Sequence, residues 1–354
     1  MILDRRQALL SALALAACGR SASAGAGADI PPLKTGTPFP VGVAAMTGFF
    51  DDLGWSELVR SQFDRVTPEW ELKTEAVLDG AGGFDFARPD RLVEAARERG
   101  LGVFGHTLVW YAQSHPALEA LGGNRTAFAD RYRTYVQTLA GRWRVAGWDV
   151  VNEPVADDGG LRDCLWRRAL GDDYIRLAFE HAREAAPGTP LFLNDYDLES
   201  RPEKLAGYLR LAERLLKAGA PLGGLGTQTH VAADLPRGRI AATVRELGRF
   251  DLPVHVSELD VSLNRAGLAA LRGPALLEAQ AALVAETVEA VMALPEAQRF
   301  GITVWGARDR DSWLRRGGEA KAHMTQDQPL LFDDEGRPKA AARSFVDAAR
   351  GEAA

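Results

Sequence analysis

Cysteine is nearly absent: the 354 residues hold two, Cys18 and Cys164. Cys18 falls in an N-terminal leader, so no disulfide supports the fold, and Cys164 reads as a small buried apolar residue rather than a nucleophile. The six histidines are scattered, with no His-x-x-x-His pair and no cysteine cluster beside them, so neither a metal centre nor a cofactor is expected. Gly223-Gly224-Leu225-Gly226 lacks the spacing of a dinucleotide or phosphate loop and reads as a turn. No Gly-x-Ser-x-Gly elbow occurs either. A basic block is also missing, and a formal charge of −6 argues against nucleic acid or an anionic membrane surface as partner. A neutral ligand suits such a chain better.

The leader is informative. Residues 1–17 read as an export signal, in which Arg5 and Arg6 precede an apolar stretch over 8–17 that is too short to span a bilayer. The arginine pair with Leu9-Leu10 resembles a twin-arginine signal, with Asp4 and Ala8 as departures; a general secretory signal is the alternative. Leu15-Ala16-Ala17-Cys18-Gly19 looks like a bacterial lipobox, which would make Cys18 the lipidated N-terminus and the membrane contact. The competing reading is cleavage after Ala22-Ser23-Ala24. Either route takes the protein out of the cytoplasm, to the periplasm or cell envelope. Residues 18–40, rich in Gly, Ala, Ser and Pro, are expected to form a flexible tether, leaving residues 41–350 as one domain.

Past the tether, short apolar runs alternate with longer amphipathic ones, the pattern of a parallel α/β sheet. The runs cover residues 41–46, 65–69, 102–110, 147–153, 191–196, 224–230, 254–260 and 301–308. Apolar spacing of three and four predicts helices over 90–99, 127–142, 174–186, 203–218, 239–248 and 274–294. Eight strands with intervening helices close a single (β/α)8 TIM barrel, and 46% hydrophobic with 25% charged residues suits one globular domain of this kind.

In such barrels the chemistry sits at the C-terminal tips of the strands. Two runs end in glutamate there: Trp148-Asp149-Val150-Val151 leads into Asn152-Glu153-Pro154, and Val254-His255-Val256-Ser257 into Glu258-Leu259-Asp260. Each Glu alone could cap a helix; together they suggest a catalytic carboxylate pair. Glu69, His106, Trp110, Tyr196, Gln228, His230, Trp305 and Asp309 lie at or near other tips. Polar groups mixed with Trp and Tyr suit a sugar, whose C–H faces stack on rings while its hydroxyls need many hydrogen bonds.

From about residue 40 to residue 349 the chain resembles glycoside hydrolase family 10, the retaining endo-β-1,4-xylanases. The resemblance rests on Val66-Thr67-Pro68-Glu69 with Lys73, Gly105-His106-Thr107-Leu108-Val109-Trp110, Trp148-Asp149-Val150-Val151-Asn152-Glu153, Asn194-Asp195-Tyr196, Gln228-Thr229-His230, Ser257-Glu258-Leu259-Asp260, and Gly301-Ile302-Thr303-Val304-Trp305-Gly306 with Asp311-Ser312-Trp313. It implies Glu153 as general acid/base and Glu258 as nucleophile. Asn152 would contact the 2-hydroxyl of the reacting sugar, and His230, held by Asp260, would hold Glu258. Glu69, Lys73, His106, Trp110 and Gln113 would line the glycone side, Trp305 and Trp313 would form an aromatic cage, and Tyr196 would face the aglycone. Retention needs two carboxyls about 5–5.5 Å apart, one ionised to attack and one protonated to assist departure. Each raises the proton affinity of the other.

Two departures bear on substrate. Trp70 stands where the family usually has Asn, and Tyr111 where it usually has His; both are expected to alter the glycone side, with Trp70 making it narrower and poorer in hydrogen bonds. The resemblance thus implies hydrolysis of xylan or xylo-oligosaccharides by a monomer. The same mechanism on another β-glycan, or an inactive sugar-binding lipoprotein, are the alternatives.

Overall fold

The computed structural model describes residues 30–264, 273–316 and 326–352. The export signal and Cys18 lie outside the described residues. The eight expected runs give ten strands: β1 Val41–Ala45, β2 Arg65–Pro68, β3 Gly102–Val103, β4 Gly105–Trp110, β5 Trp148–Asn152, β6 Leu191–Asp195, β7 Gly224–Thr227, β8 His230–Ala232, β9 Val254–Ser262 and β10 Arg299–Val304. Their order across the sheet is β3-β2-β1-β10-β9-β7-β6-β5-β4, with parallel pairing throughout.

The third run appears as two strands because the chain changes partner inside it. Phe104 N–H donates to Val66 O at 2.9 Å, on the β2 side, and Gly105 N–H donates to Gly147 O at 2.8 Å, on the β5 side. One continuous segment thus forms both ends of the sheet path, and the sheet is a closed (β/α)8 TIM barrel. The sixth run divides at Gln228 and Thr229, where Thr229 takes left-handed backbone with φ 58°; β8 then leaves the barrel and pairs with the far end of β9. Every residue of β1, β5, β6 and β9 is buried, as expected of parallel strands covered on both faces.

The predicted helices are present as Ala87–Glu98, Arg125–Arg142, Tyr174–Ala185, Pro202–Lys217, Arg239–Gly248 and Pro274–Met292. Tyr174–Ala185 buries Tyr174, Ile175, Ala178, Phe179 and Ala182, the spacing of one helix face. Among the helices not anticipated, Leu53–Gln62 buries only Trp55, Ser56 and Val59, and Ala340–Arg350 buries chiefly alanines beside Phe345 and Val346. The first of these stripes is too narrow to give a clear periodic signal, whereas the second has the spacing of one helix face. None of the described helices is long and apolar enough to cross a membrane. Cys164 is a buried free thiol whose pKa burial pushes up, in keeping with a packing role.

At the N-terminal end of the barrel Phe104, Phe192 and Phe300 pack with ring centroids 4.5 to 5.7 Å apart. The Arg65 guanidinium lies 4.4 Å from the Phe300 centroid, and Arg65 Nη2 is 3.2 Å from His255 Nε2. This layer fills the barrel below the opposite, C-terminal face.

The tether expected over 18–40 is corrected where it can be followed. The folded unit begins at Pro31, with a short helix at Leu33–Gly36 in contact with Ala340–Arg350. Leu33 and Phe39 are buried, and that burial holds a stretch whose Pro and Gly content alone suggests freedom.

One close contact bears on the active face. Gly207, in the helix Pro202–Lys217, lies so near the Gly159 backbone that an added Cβ would sit 2.2 Å from Gly159 O. Gly207→Ala is predicted to displace the loop after β5 and to cost about 1–3 kcal/mol. Chemical denaturation checks this, and an unchanged midpoint would show that the loop yields freely.

Candidate active site

Glu153 follows β5 with φ 57°, a left-handed conformation that costs a non-glycine residue about 1–3 kcal/mol and persists only if its surroundings impose it. Here three bonds impose it. Glu153 N–H donates to Asn194 O at 2.8 Å, Val155 N–H to Asp195 Oδ2 at 2.9 Å, and Arg162 Nε to Glu153 O at 3.0 Å. Asp195 is itself buried, which raises its pKa to about 7 against the opposing effect of Lys204, whose Nζ is 2.9 Å away.

The two glutamates share one amide network. Glu153 Oε1 accepts from Asn152 Nδ2 at 3.1 Å and from Gln228 Nε2 at 2.9 Å. Asn194 Nδ2 donates at 2.9 Å both to Asn152 Oδ1 and to Glu258 Oε1, and is itself oriented by Ser257 Oγ, which donates to Asn194 Oδ1 at 2.8 Å. The other Glu258 oxygen, Oε2, lies 3.3 Å from His230 Nε2, while His230 Nδ1 is 2.8 Å from Asp260 Oδ2. Trp313 Nε1 donates to the same Asp260 oxygen at 2.8 Å.

Electrostatics follow from this burial. Desolvation alone would lower the His230 pKa, but Asp260 and Glu258 outweigh it and raise it to about 10. Glu258 is pushed up by burial, with His230 and Lys73 pulling it back. A cationic His230 between two carboxylates thus favours an anionic Glu258. Burial lowers the Lys73 pKa against the carboxylates around it, and its ammonium lies 4.5 Å from the Trp110 centroid. His106 Nδ1 is 2.8 Å from Asp149 Oδ2. Burial, then Lys73, holds His106 well below its usual pKa, and burial, then Glu258, holds Asp149 well above; both shifts favour an uncharged pair.

A cleft of about 750 Å³ opens at the strand tips. It is lined by Glu69, Trp70, Lys73, His106, Trp110, Gln113, Asn152, Glu153, Tyr196, Gln228, His230, Glu258, Trp305 and Trp313, so these expected residues do converge. Asp260 acts from behind His230. Asp309 does not join them: its carboxylate accepts from Lys339 Nζ at 3.0 Å and from Leu330 N–H at 2.8 Å. Tyr111 also differs from expectation, since the Arg162 guanidinium lies 4.1 Å from its ring centroid and donates to Tyr196 OH at 2.6 Å. Tyr111 therefore stands with the residue expected to face the aglycone. His106, Asp149 and Glu258 bring donor atoms within 4.8 Å of one another, but each is already engaged in the bonds above. Asn194, Arg162, Asp197, Met46 and Arg316 were not singled out by sequence. Asn194 stood inside a recognised motif beside Tyr196, whereas nothing in the local pattern marked the two arginines.

The family model described as glycosyl hydrolase family 10 matches residues 34–348. The chain belongs to that family. It is 33% identical to Endo-1,4-beta-xylanase 2 of Claviceps purpurea, over 83% of this chain and 82% of the relative. It is 30% identical to Exoglucanase XynX of Acetivibrio thermocellus over 90% of this chain, which spans only 30% of that longer protein. Among solved structures, an alanine mutant of Xylanase10C from Cellvibrio japonicus in complex with xylopentaose matches with TM-score 0.84 and 28% identity, covering 92% of this chain and 70% of that one.

The His230 shift gives a pH test within this family 10 fold. Its folded value of about 10 lies above the ordinary histidine value of 6.5, so the stabilisation it brings is complete below the unfolded pKa and is lost as pH rises through the folded one. The melting-temperature gap between wild type and His230→Gln should be widest near about pH 6 and narrow toward about pH 10. A gap constant over that range would contradict a charged His230.

Proposed function

We propose that this family 10 member is a retaining endo-1,4-β-xylanase, with Glu258 as nucleophile and Glu153 as general acid/base. The observation that carries the proposal is the single amide network joining both carboxyls in one aromatic-lined cleft. In the first step a Glu258 oxygen attacks the anomeric carbon, the glycosidic C–O bond breaks, and the Glu153 proton passes to the leaving oxygen. In the second, Glu153 removes a proton from water, the water oxygen bonds to the anomeric carbon, and Glu258 leaves as carboxylate. Asn194 and His230 donate to Glu258 and hold its orientation through both steps. Asn152, fixed by Asn194, meets the 2-hydroxyl, a contact that strengthens in the transition state.

A xylan-type substrate is supported by the names of the relatives and by the xylopentaose complex of the structural neighbour. A different β-glycan is the second reading, favoured by Trp70 lining the cleft and by the relative named an exoglucanase. Product analysis on a panel of polysaccharides separates the two. A sugar-binding protein without catalysis has no need of two carboxyls held by one network.

Glu258→Ala should lose several orders of magnitude in turnover and regain part of it with azide, giving product of inverted anomeric configuration. Glu153→Ala should spare the first step on activated aryl glycosides while losing poor leaving groups. Near-normal turnover by Glu258→Ala, or equal losses across leaving groups in Glu153→Ala, would refute these roles.

For location we propose an exported protein held at the membrane through Cys18, on the strength of Leu15-Ala16-Ala17-Cys18-Gly19. Cys18→Ala should move the protein from the membrane fraction to a soluble pool. A wild type found wholly soluble after export would overturn the anchor.

A further inference from the structure

We infer that Arg316 and Trp70 narrow the glycone end of the cleft, so that the distal glycone is held weakly and internal cleavage of xylo-oligosaccharides is displaced toward their non-reducing end. The inference rests on the xylanase reading above and adds a specificity device to it.

A sugar held beyond the reacting one needs hydroxyl acceptors or an open aromatic face. Glu69, at the tip of β2, is the glycone-side acceptor implied by the resemblance, yet Arg316 Nη2 lies 2.6 Å from each of its carboxylate oxygens. Each oxygen thus already accepts from a charged donor, which leaves Glu69 fewer acceptor positions for a sugar hydroxyl.

Arg316 is fixed from several directions. Its Nη1 donates to Met46 Sδ at 2.7 Å, its Nε to Ser312 O at 3.5 Å, and its guanidinium stands 5.4 Å from the Phe49 centroid. It therefore links the loop after β1 to the tip of β2 and to the segment after β10. Arg316 and Glu69 both line the cleft, with side chains 35% and 16% exposed, so the pair lies where a substrate would meet it.

Trp70 is the second half of the device. It lines the cleft, and the Arg88 guanidinium lies 5.4 Å from its ring centroid, occupying a face on which a sugar could stack. The indole in this position fills space and presents one N–H, where the family's usual Asn offers both a donor and an acceptor.

The test is to map cleavage positions on reducing-end-labelled xylo-oligosaccharides of increasing length for wild type, Arg316→Ala and Trp70→Asn. Wild type should favour internal bonds nearer the non-reducing end. Each variant should shift the cut toward the interior and raise the kcat/KM ratio of long to short substrates about two- to tenfold, the size of one regained hydrogen bond. Identical cleavage positions in wild type and both variants would overturn the narrowed glycone end while leaving the xylanase reading intact. Failure of wild type to cut any xylo-oligosaccharide would overturn that reading and this inference with it.

Discussion

Two carboxyls buried in one cleft are costly to keep there. Burial takes both out of water, and the charge of Glu153 adds to the rise in the proton affinity of Glu258. What makes the arrangement tolerable is that the surrounding donors are distributed unequally. Glu258 receives a neutral amide on one oxygen and a cationic imidazole on the other, whereas Glu153 receives two neutral amides on Oε1. A formally charged hydrogen-bond donor thus reaches Glu258, whereas the donors to Glu153 Oε1 are neutral amides.

The barrel explains how such precision is reached without a large dedicated scaffold. Asn152, Asn194, Gln228 and Glu258 come from β5, β6, the end of β7 and β9, and β6 lies between β5 and β7 in the sheet. Register between parallel strands sets which tips face each other, so Asn152 pairs with Asn194 in the sheet itself. Their side-chain hydrogen bond then follows from backbone pairing rather than from loop conformation. Arg162, by contrast, comes from a loop and ties Glu153, Tyr111 and Tyr196 together from outside the barrel.

Legibility in the sequence follows the same division. Glu153, Glu258 and His230 could be found because each ends an apolar run, and in a parallel barrel a strand end is a position in space as well as in the chain. Asp309 met a similar criterion and went elsewhere, since Lys339 and the Leu330 N–H draw its carboxylate away from the cleft. The break at Phe104 could not be read, because nothing in the residues around it marks a strand end and only the change of hydrogen-bonding partner divides the run. Nor could Arg316, which meets Glu69 across 247 positions of chain. The stretch before β1 is hard to read for a related reason: Leu33 lies in a short segment that packs on the helix Ala340–Arg350, near the other end of the chain.

The left-handed backbone at Glu153 places activity and stability in opposition at one residue. A glycine there would relax without penalty and lower the strain that Asn194, Asp195 and Arg162 now hold in place, yet it would remove the proton donor. Selection for robustness alone would drift away from this residue, so its presence marks a site maintained by use rather than by folding.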